Sequence, residues 1–469
     1  MTTQDPKDAR TPDALPENPE HPVPDEAVPE NAAAENAVPD EATPDNAVPD
    51  NAVPESPAAE PDNPDTEPSN WGRLARNVFT AQSTPLVTLL AIVLALVVGG
   101  ILIIISDPVA MRELGYFTSR PSDFFNTAWR DVSHGYEDLF KGSIFNPAFI
   151  NGTPSQFFGP LTSTLEDATP LIFGGLAVTV AFRGGMFNIG GQGMTIAGAI
   201  LSTYVAFAWT GLSGALQLVV AVLGGIVGGV LLGALVGWLK AKRGAHEVVV
   251  TIMLNYILFF FLSNYLLTTS VFHDPTKAGQ SISKPAAANA VLPHLFGSGL
   301  NTDFGLVLAL VATALVGWFF RRSKLGFEIR AVGLNPAAAR TNGISVARAQ
   351  IWAMVISGGL MGLIGVTQVL GLNNPNNNSL SPNIDAGLGF NAITVALLGR
   401  TKPWGVVWAA LLYGAFQAGA SVMQANDGIS TDIIGVIEAL IVIFVSAPQL
   451  IKEIFRLRSR DAAIAGAAA

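Results

Sequence analysis

Cysteine is absent from the 469 residues, which excludes disulfides, thiolate nucleophiles and cysteine-ligated metal. Histidine is scarce, with five at His21, His134, His246, His273 and His294, and no two stand at a metal-ligand spacing. Charge is scarce as well. Only 13% of residues are Asp, Glu, Lys or Arg, about half the share of a soluble globular chain. The scarcity is uneven: 77–106, 184–239, 248–273, 304–320 and 349–384 contain no charged residue at all. A bilayer-spanning helix needs about 20 consecutive apolar residues, so these blocks imply an all-α, polytopic integral membrane protein. Catalytic signatures are missing too. There is no G-x-x-x-x-G-K-[ST], no H-E-x-x-H and no G-x-S-x-G, so a P-loop ATPase, a zinc protease and a nucleophile-elbow hydrolase are all excluded. No catalytic residue, metal, cofactor or nucleic-acid partner is expected on this chain.

What is present begins with an acidic tail. Residues 1–70 hold 18 acidic and two basic groups and 15 of the 30 prolines, and 36–55 is a degenerate five-residue repeat, NAVPD, EATPD, NAVPD, NAVPE. Proline every fifth residue removes helix hydrogen bonds, and the acids repel one another. Such a segment buries too little to offset its ordering entropy. It reads as a disordered tail, either a solvated spacer or a partner-binding arm. It is not a signal peptide, because its leading segment is acidic. The membrane domain is expected over 71–460, with a short C-terminal tail at 461–469.

About ten spans are predicted: 85–105, 167–182, 187–208, 215–238, 248–269, 303–320, 350–371, the short 386–399, 404–424 and 433–451, with a long polar segment at 107–159. Placing both termini in the cytoplasm puts 18 Lys and Arg on the inner side and six on the outer, as the positive-inside rule requires. The fourth span carries Gly225, Gly229, Gly233 and Gly237, widened by Gly224 and Gly228; the seventh carries Gly358, Gly362 and Gly365. Lipid offers helices no hydrophobic drive to associate, so small residues that let backbones approach read as packing seams. Glu438 is the acid set clearly inside a span, expected to face the interior and pair with an amide or hydroxyl. Uncharged amides are commoner: Asn188, Gln192, Asn255, Asn264, Gln368, Asn391 and Gln417. Each either bonds helix to helix or lines a passage for a neutral polar solute. A carrier driven by protons or sodium needs several embedded ionisable groups.

The segment 321–349, RRSKLGFEIRAVGLNPAAARTNGISVARA, contains a short helix with both ends specified. Asn335 can cap it, Pro336 suits its first position, Ala337 to Arg340 propagate it, and Asn342–Gly343 supplies a left-handed stop. Two turns are not stable alone. The helix therefore packs on something: its own chain, as a capped connector, or a soluble partner.

Five blocks then carry a resemblance: TLEDATPLIFGGLAVTVAFRGGMFNIGGQG (164–193), HEVVVTIMLNYIL (246–258), AVGLNPAAARTNGI (331–344), SGGLMGLIGVTQVLG (357–371) and GLGFNAITVALLGRTKPWGVVWAALLYG (387–414). Together they resemble the ABC importer permeases for nucleosides and simple sugars, a group that includes the ribose and branched-chain amino acid permeases. The resemblance implies a multi-pass permease of the cell membrane, translocating nucleosides by alternating access in the lipid bilayer. It implies three partners on separate chains: a second permease of the same family, an ABC ATPase and an extracytoplasmic solute-binding lipoprotein. It makes 334–344 the helix coupled to the ATPase, through Asn335, Pro336, Ala338, Arg340 and Gly343. Asn188, Gln192, Asn255 and Asn391 become the candidate passage residues. The family block usually reads NIG-x-E-G-Q; here Gln192 replaces the acid and Met194 the amide. A simple-sugar importer permease is the alternative within the family, and an ion-coupled secondary transporter the alternative outside it.

Overall fold

A computed structural model describes residues 84–455 apart from 151, 278, 298, 373 and 375. The tail 1–70, the stretch 71–83 and the C-terminal 461–469 fall outside the described residues. Among those described there are fifteen α-helices and no strand, only the isolated bridges His273–Ser283 and His294–Asp303.

The first helix, α1 (Thr84–Ser106), ends where the Asp107 carboxylate caps α2 (Pro108–Leu114) by accepting from the Val109 and Ala110 N–H groups at 3.1 and 3.0 Å. The polar segment expected at 107–159 is largely helical, because α3 (Pro121–Ser143) has one apolar stripe. The next helix, α4 (Pro154–Arg183), has 30 residues where a 16-residue span was expected. At 1.5 Å per residue it is ~45 Å long, against a ~30 Å hydrocarbon core.

Then come α5 (Gly191–Ala208), α6 (Gly214–Arg243) and α7 (Glu247–Phe260), the last prolonged by a π-turn at Phe261–Tyr265 and a 3-10 turn at Leu266–Thr268. The segment 321–349 holds two helices where one was expected. These are α9 (Lys324–Leu334) and α10 (Pro336–Thr341), set between α8 (Gly305–Arg322) and α11 (Val346–Leu370). The chain continues through α12 (Leu388–Leu398), α13 (Pro403–Asp427), α14 (Thr431–Ser446) and α15 (Pro448–Ile454).

Seven of these are long and apolar enough to cross a membrane: α1, α4, α6, α7 with its extension, α8, α11 and α13. Three of the ten expected spans, now α5, α12 and α14, do not reach that length and apolarity. The expected span 433–451 is two helices, because Pro448 has no N–H with which to continue α14.

The glycine stripes are packing seams. A Cβ on Gly229 would collide with the Gly358 carbonyl oxygen, one on Gly362 with the Gly225 carbonyl, and one on Gly233 with the Met354 carbonyl. Helix α5 joins the same layer, since a Cβ on Gly198 would stand 2.6 Å from the Gly362 Cα. Beside this α5–α6–α11 layer runs α4, buried almost continuously from Ala168 to Ala181. It is enclosed by α8, α11, α12 and α13.

Candidate functional site: an acidic cavity and an exposed short helix

A cavity of about 190 Å³ opens at the middle of α4, lined among others by Glu166, Asp167, Asp303, Gln368, Asn374 and Gln417. Helix α4 supplies the two adjacent acids, α11 and α13 the two glutamines, and the turn before α8 supplies Asp303. Pro170 shapes the wall from within α4. It lacks the N–H that the Glu166 carbonyl would otherwise accept four residues back.

The polar groups around the cavity are mostly acceptors. One oxygen of Glu166 accepts from the Asp303 N–H at 3.3 Å, and Oδ1 of Asp303 accepts from the Gly305 N–H at 2.7 Å. Asp303 is only 1% exposed. Burial raises the Asp303 carboxyl above its ordinary value, against the opposing pull of the Gly305 and Leu372 N–H groups and of His294. The Thr169 and Thr367 hydroxyls are turned to their own helices, donating to the Leu165 and Ile364 carbonyls. Asn374 is spent on its loop, donating to the Gln368 and Ser379 carbonyls and accepting from the Asn376 N–H.

The four sequence-derived passage residues do not line this cavity. Asn188 is fully buried; it donates to the Ser357 hydroxyl at 2.9 Å and accepts from the Gly190 N–H at 2.9 Å. Asn255 accepts from the Gly193 N–H at 2.8 Å and donates to the Ile189 carbonyl at 2.9 Å. Both amides lock the turn ahead of α5. Gln192 and Asn391 are half-buried where α5 meets α12. There a Cβ on Gly191 would lie 2.6 Å from the Gly389 carbonyl oxygen. Gln368 and Gln417 were among the amides noted in the sequence, whereas Glu166 and Asp167 stand at the edge of the expected span 167–182. The missed signal was the length of α4, which places that acid pair near mid-helix. Asp303 carried no local signal.

Glu438 faces the interior, as expected, at 6% exposure. Its expected partner is not there. The Tyr413 hydroxyl donates to the Glu438 backbone carbonyl at 3.3 Å, and the Oε1 of its carboxylate accepts nothing. A different acid, Asp385, receives the Gly389 N–H at 3.1 Å at the start of α12. Burial pushes its carboxyl up to about 6, offset in part by the Gly389 and Gly387 N–H groups.

On the other functional candidate, the structure draws what the sequence specified. The Asn335 side chain accepts from the Ala337 and Ala338 N–H groups at 3.0 and 3.1 Å, Pro336 opens α10, and Gly343 has φ +75°. Ala339 is buried while Ala338 and Arg340 are exposed. Helix α9 orients this corner through an ion pair unforeseen in the sequence: Arg348 on α11 reaches both oxygens of the buried Glu328 carboxylate at 3.0 and 3.2 Å. Leu334, at the tip, is 88% exposed.

The family of branched-chain amino acid transport system permease components matches residues 161–446. The nucleoside ABC transporter permease protein NupB of Lactococcus lactis is 34% identical, over 78% of this chain and 92% of that protein. The guanosine ABC transporter permease protein NupP of Bacillus subtilis is 31% identical, over 78% of this chain and 94% of that protein. The glucose ABC transporter permease protein TsgB13 of Haloferax volcanii is 28% identical, over 65% of this chain and 80% of that protein. No solved structure matches.

Proposed function

The chain belongs to the permease components of ABC importers in the branched-chain amino acid family, and we propose that the solute it carries is a nucleoside. It is a multi-pass protein of the cell membrane and a transport component rather than an enzyme. The observation that carries the nucleoside reading is likeness to NupB and NupP along nearly four-fifths of the chain. A cavity lined by acids and amides, without a basic side chain, supports it, since a neutral polar solute needs hydrogen-bond partners and no cationic counter-group.

In this reading the chain crosses the membrane ten times with both ends in the cytoplasm, its three shorter helices covered by neighbours. Its partners are a second permease, an ATPase and a solute-binding lipoprotein. Closure of the ATPase moves α10, whose exposed face of Ala337, Ala338 and Arg340 is flanked by the bare Leu334 side chain. A sugar importer is the second reading, favoured by the glucose permease among the relatives. ATP-dependent uptake of labelled nucleoside by the reconstituted four-part transporter, with glucose as competitor, tests the two. Uptake abolished by glucose and unaffected by nucleosides would reverse the choice.

A further inference from the structure

We propose that α3 turns back into the bilayer beside α1, and that the apolar groove between the two helices holds one acyl chain of a phospholipid from the leaflet on the Ser106 side. The proposal concerns a lipid that this chain binds and is independent of the solute it carries.

The two helices run antiparallel. The Tyr136 hydroxyl on α3 donates to the Leu96 carbonyl on α1, and one turn along each helix a Cβ on Gly100 would touch the Val132 side chain at 3.4 Å. Residues 132–136 therefore lie beside 96–100, inside the span Leu86–Ser106, although α3 belongs to the polar segment 107–159. The faces of α3 divide to allow this. Asp138 accepts from the Asn426 amide of α13 at 2.8 Å. Phe125, Trp129, Val132 and Tyr136 form a separate stripe at helical spacing, and Trp129 is 76% exposed.

Between that stripe and α1 lies a groove of about 540 Å³, lined among others by Val97, Ile101 and Ile104 and by no charged side chain. Water is a poor occupant. The groove would take about 18 waters at about 30 Å³ each, every one needing about three polar partners, and the Tyr136 hydroxyl is already spent. A protein helix is too large. From Val93 to Ile104 the groove is ~16 Å long at 1.5 Å per residue, and a helix ~10 Å wide fills ~1,200 Å³ over that length, more than twice the space. A hydrocarbon chain is narrower, and ~16 Å is about half of the ~30 Å hydrocarbon core, the depth of one leaflet. Lipid also has direct access, because the groove continues the bare face of α1 on which Val93, Val97 and Ile101 recur every fourth residue. The antiparallel register places Phe125 and Trp129 toward the Ser106 end, as the aromatic belt of a bilayer interface requires.

The test uses the full chain with its partner subunits in phosphatidylcholine proteoliposomes, doped with a phosphatidylcholine that carries a diazirine on one acyl chain. Light-induced adducts are mapped by mass spectrometry in the wild type, Ile101→Trp and Leu89→Trp. Both replaced residues are exposed on α1, but only Ile101 lines the groove, so the first variant fills it and the second adds the same bulk elsewhere. In the wild type, adducts at 125–132 are expected to exceed several-fold those around Leu89, on the open part of α1. They should be lost in Ile101→Trp and kept in Leu89→Trp. Adducts no denser in the groove than around Leu89, or equal at 125–132 in all three proteins, overturn the proposal. Should Ile101→Trp fail to assemble, the wild-type ratio decides. A benzophenone side chain in place of Trp129 then distinguishes the occupants. Adducts to phospholipid are expected, and capture of the partner permease or of residues 71–83 in their place overturns the lipid.

Discussion

A carboxylate without a donor behaves differently from one held in an ion pair, and the chain contains both. Oε1 of Glu438 accepts nothing in the interior, so the carboxylate is a liability that the fold tolerates. Glu438→Leu is expected to hold or raise the thermal midpoint of the solubilised protein, since removing an unsatisfied buried acceptor can be neutral or stabilising. Lower stability in Leu than in Glu438→Gln would show a donor that the fold does not display. Glu328 is the converse. Arg348→Ala would strip its partner and leave a buried carboxylate, lowering stability by about 1–3 kcal/mol and loosening the corner that carries α10. Asp385 adds a pH signature. Its folded carboxyl titrates at about 6 against an ordinary 3.8. Between those values the unfolded chain has lost a proton that the folded chain keeps, so this group's contribution to stability falls as pH rises. Asp385→Asn keeps an acceptor for Gly389 and should flatten that part of the thermal midpoint's pH dependence.

At the scale of elements, contact between glycine backbones is what binds α6 to α11. Gly229→Ala drives a methyl into the Gly358 carbonyl, and overpacking of this kind costs about 1–3 kcal/mol. Gly317→Ala on α8 meets open space and should instead gain about 0.5–1 kcal/mol from helix propensity. Thermal aggregation of the two variants side by side checks both signs. Helix α10 makes the corresponding functional prediction. Ala338→Trp adds bulk on an exposed face and should abolish co-purification of the ATPase while insertion and the partner permease remain. Gly343→Val forces a branched residue to positive φ, at about 1–2 kcal/mol of strain, and should act in the same direction by misdirecting the chain into α11.

For the molecule as a whole, the prediction concerns what drives it. Uptake should follow ATP and disappear with Ala338→Trp; uptake sustained by the membrane potential in that variant would contradict an ABC mechanism. Deleting residues 1–68, which lie outside the described residues, should leave insertion and uptake near wild type, because their composition offers nothing to bury. Loss of assembly would make the tail a docking arm.

The sequence by itself determined the membrane class, the helix boundaries set by Asn335, Pro336 and Gly343, the glycine seams and the family. Each of these is written locally, as a run without charge, a capping residue before a proline, or glycines four apart. Only the tertiary structure decided which polar residues face an opening. Asn188 and Asn255 looked like passage residues because an amide in a span must find partners, and the fold gives them Ser357 and the backbone of the 189–193 turn. Glu166 and Asp167 looked like a boundary because charge usually marks one, yet α4 begins at Pro154 and carries them inward. Asp303 meets Glu166 from 137 positions away in the numbering. No local pattern records such a meeting, because it depends on how α4, α8, α11 and α13 close around the same space.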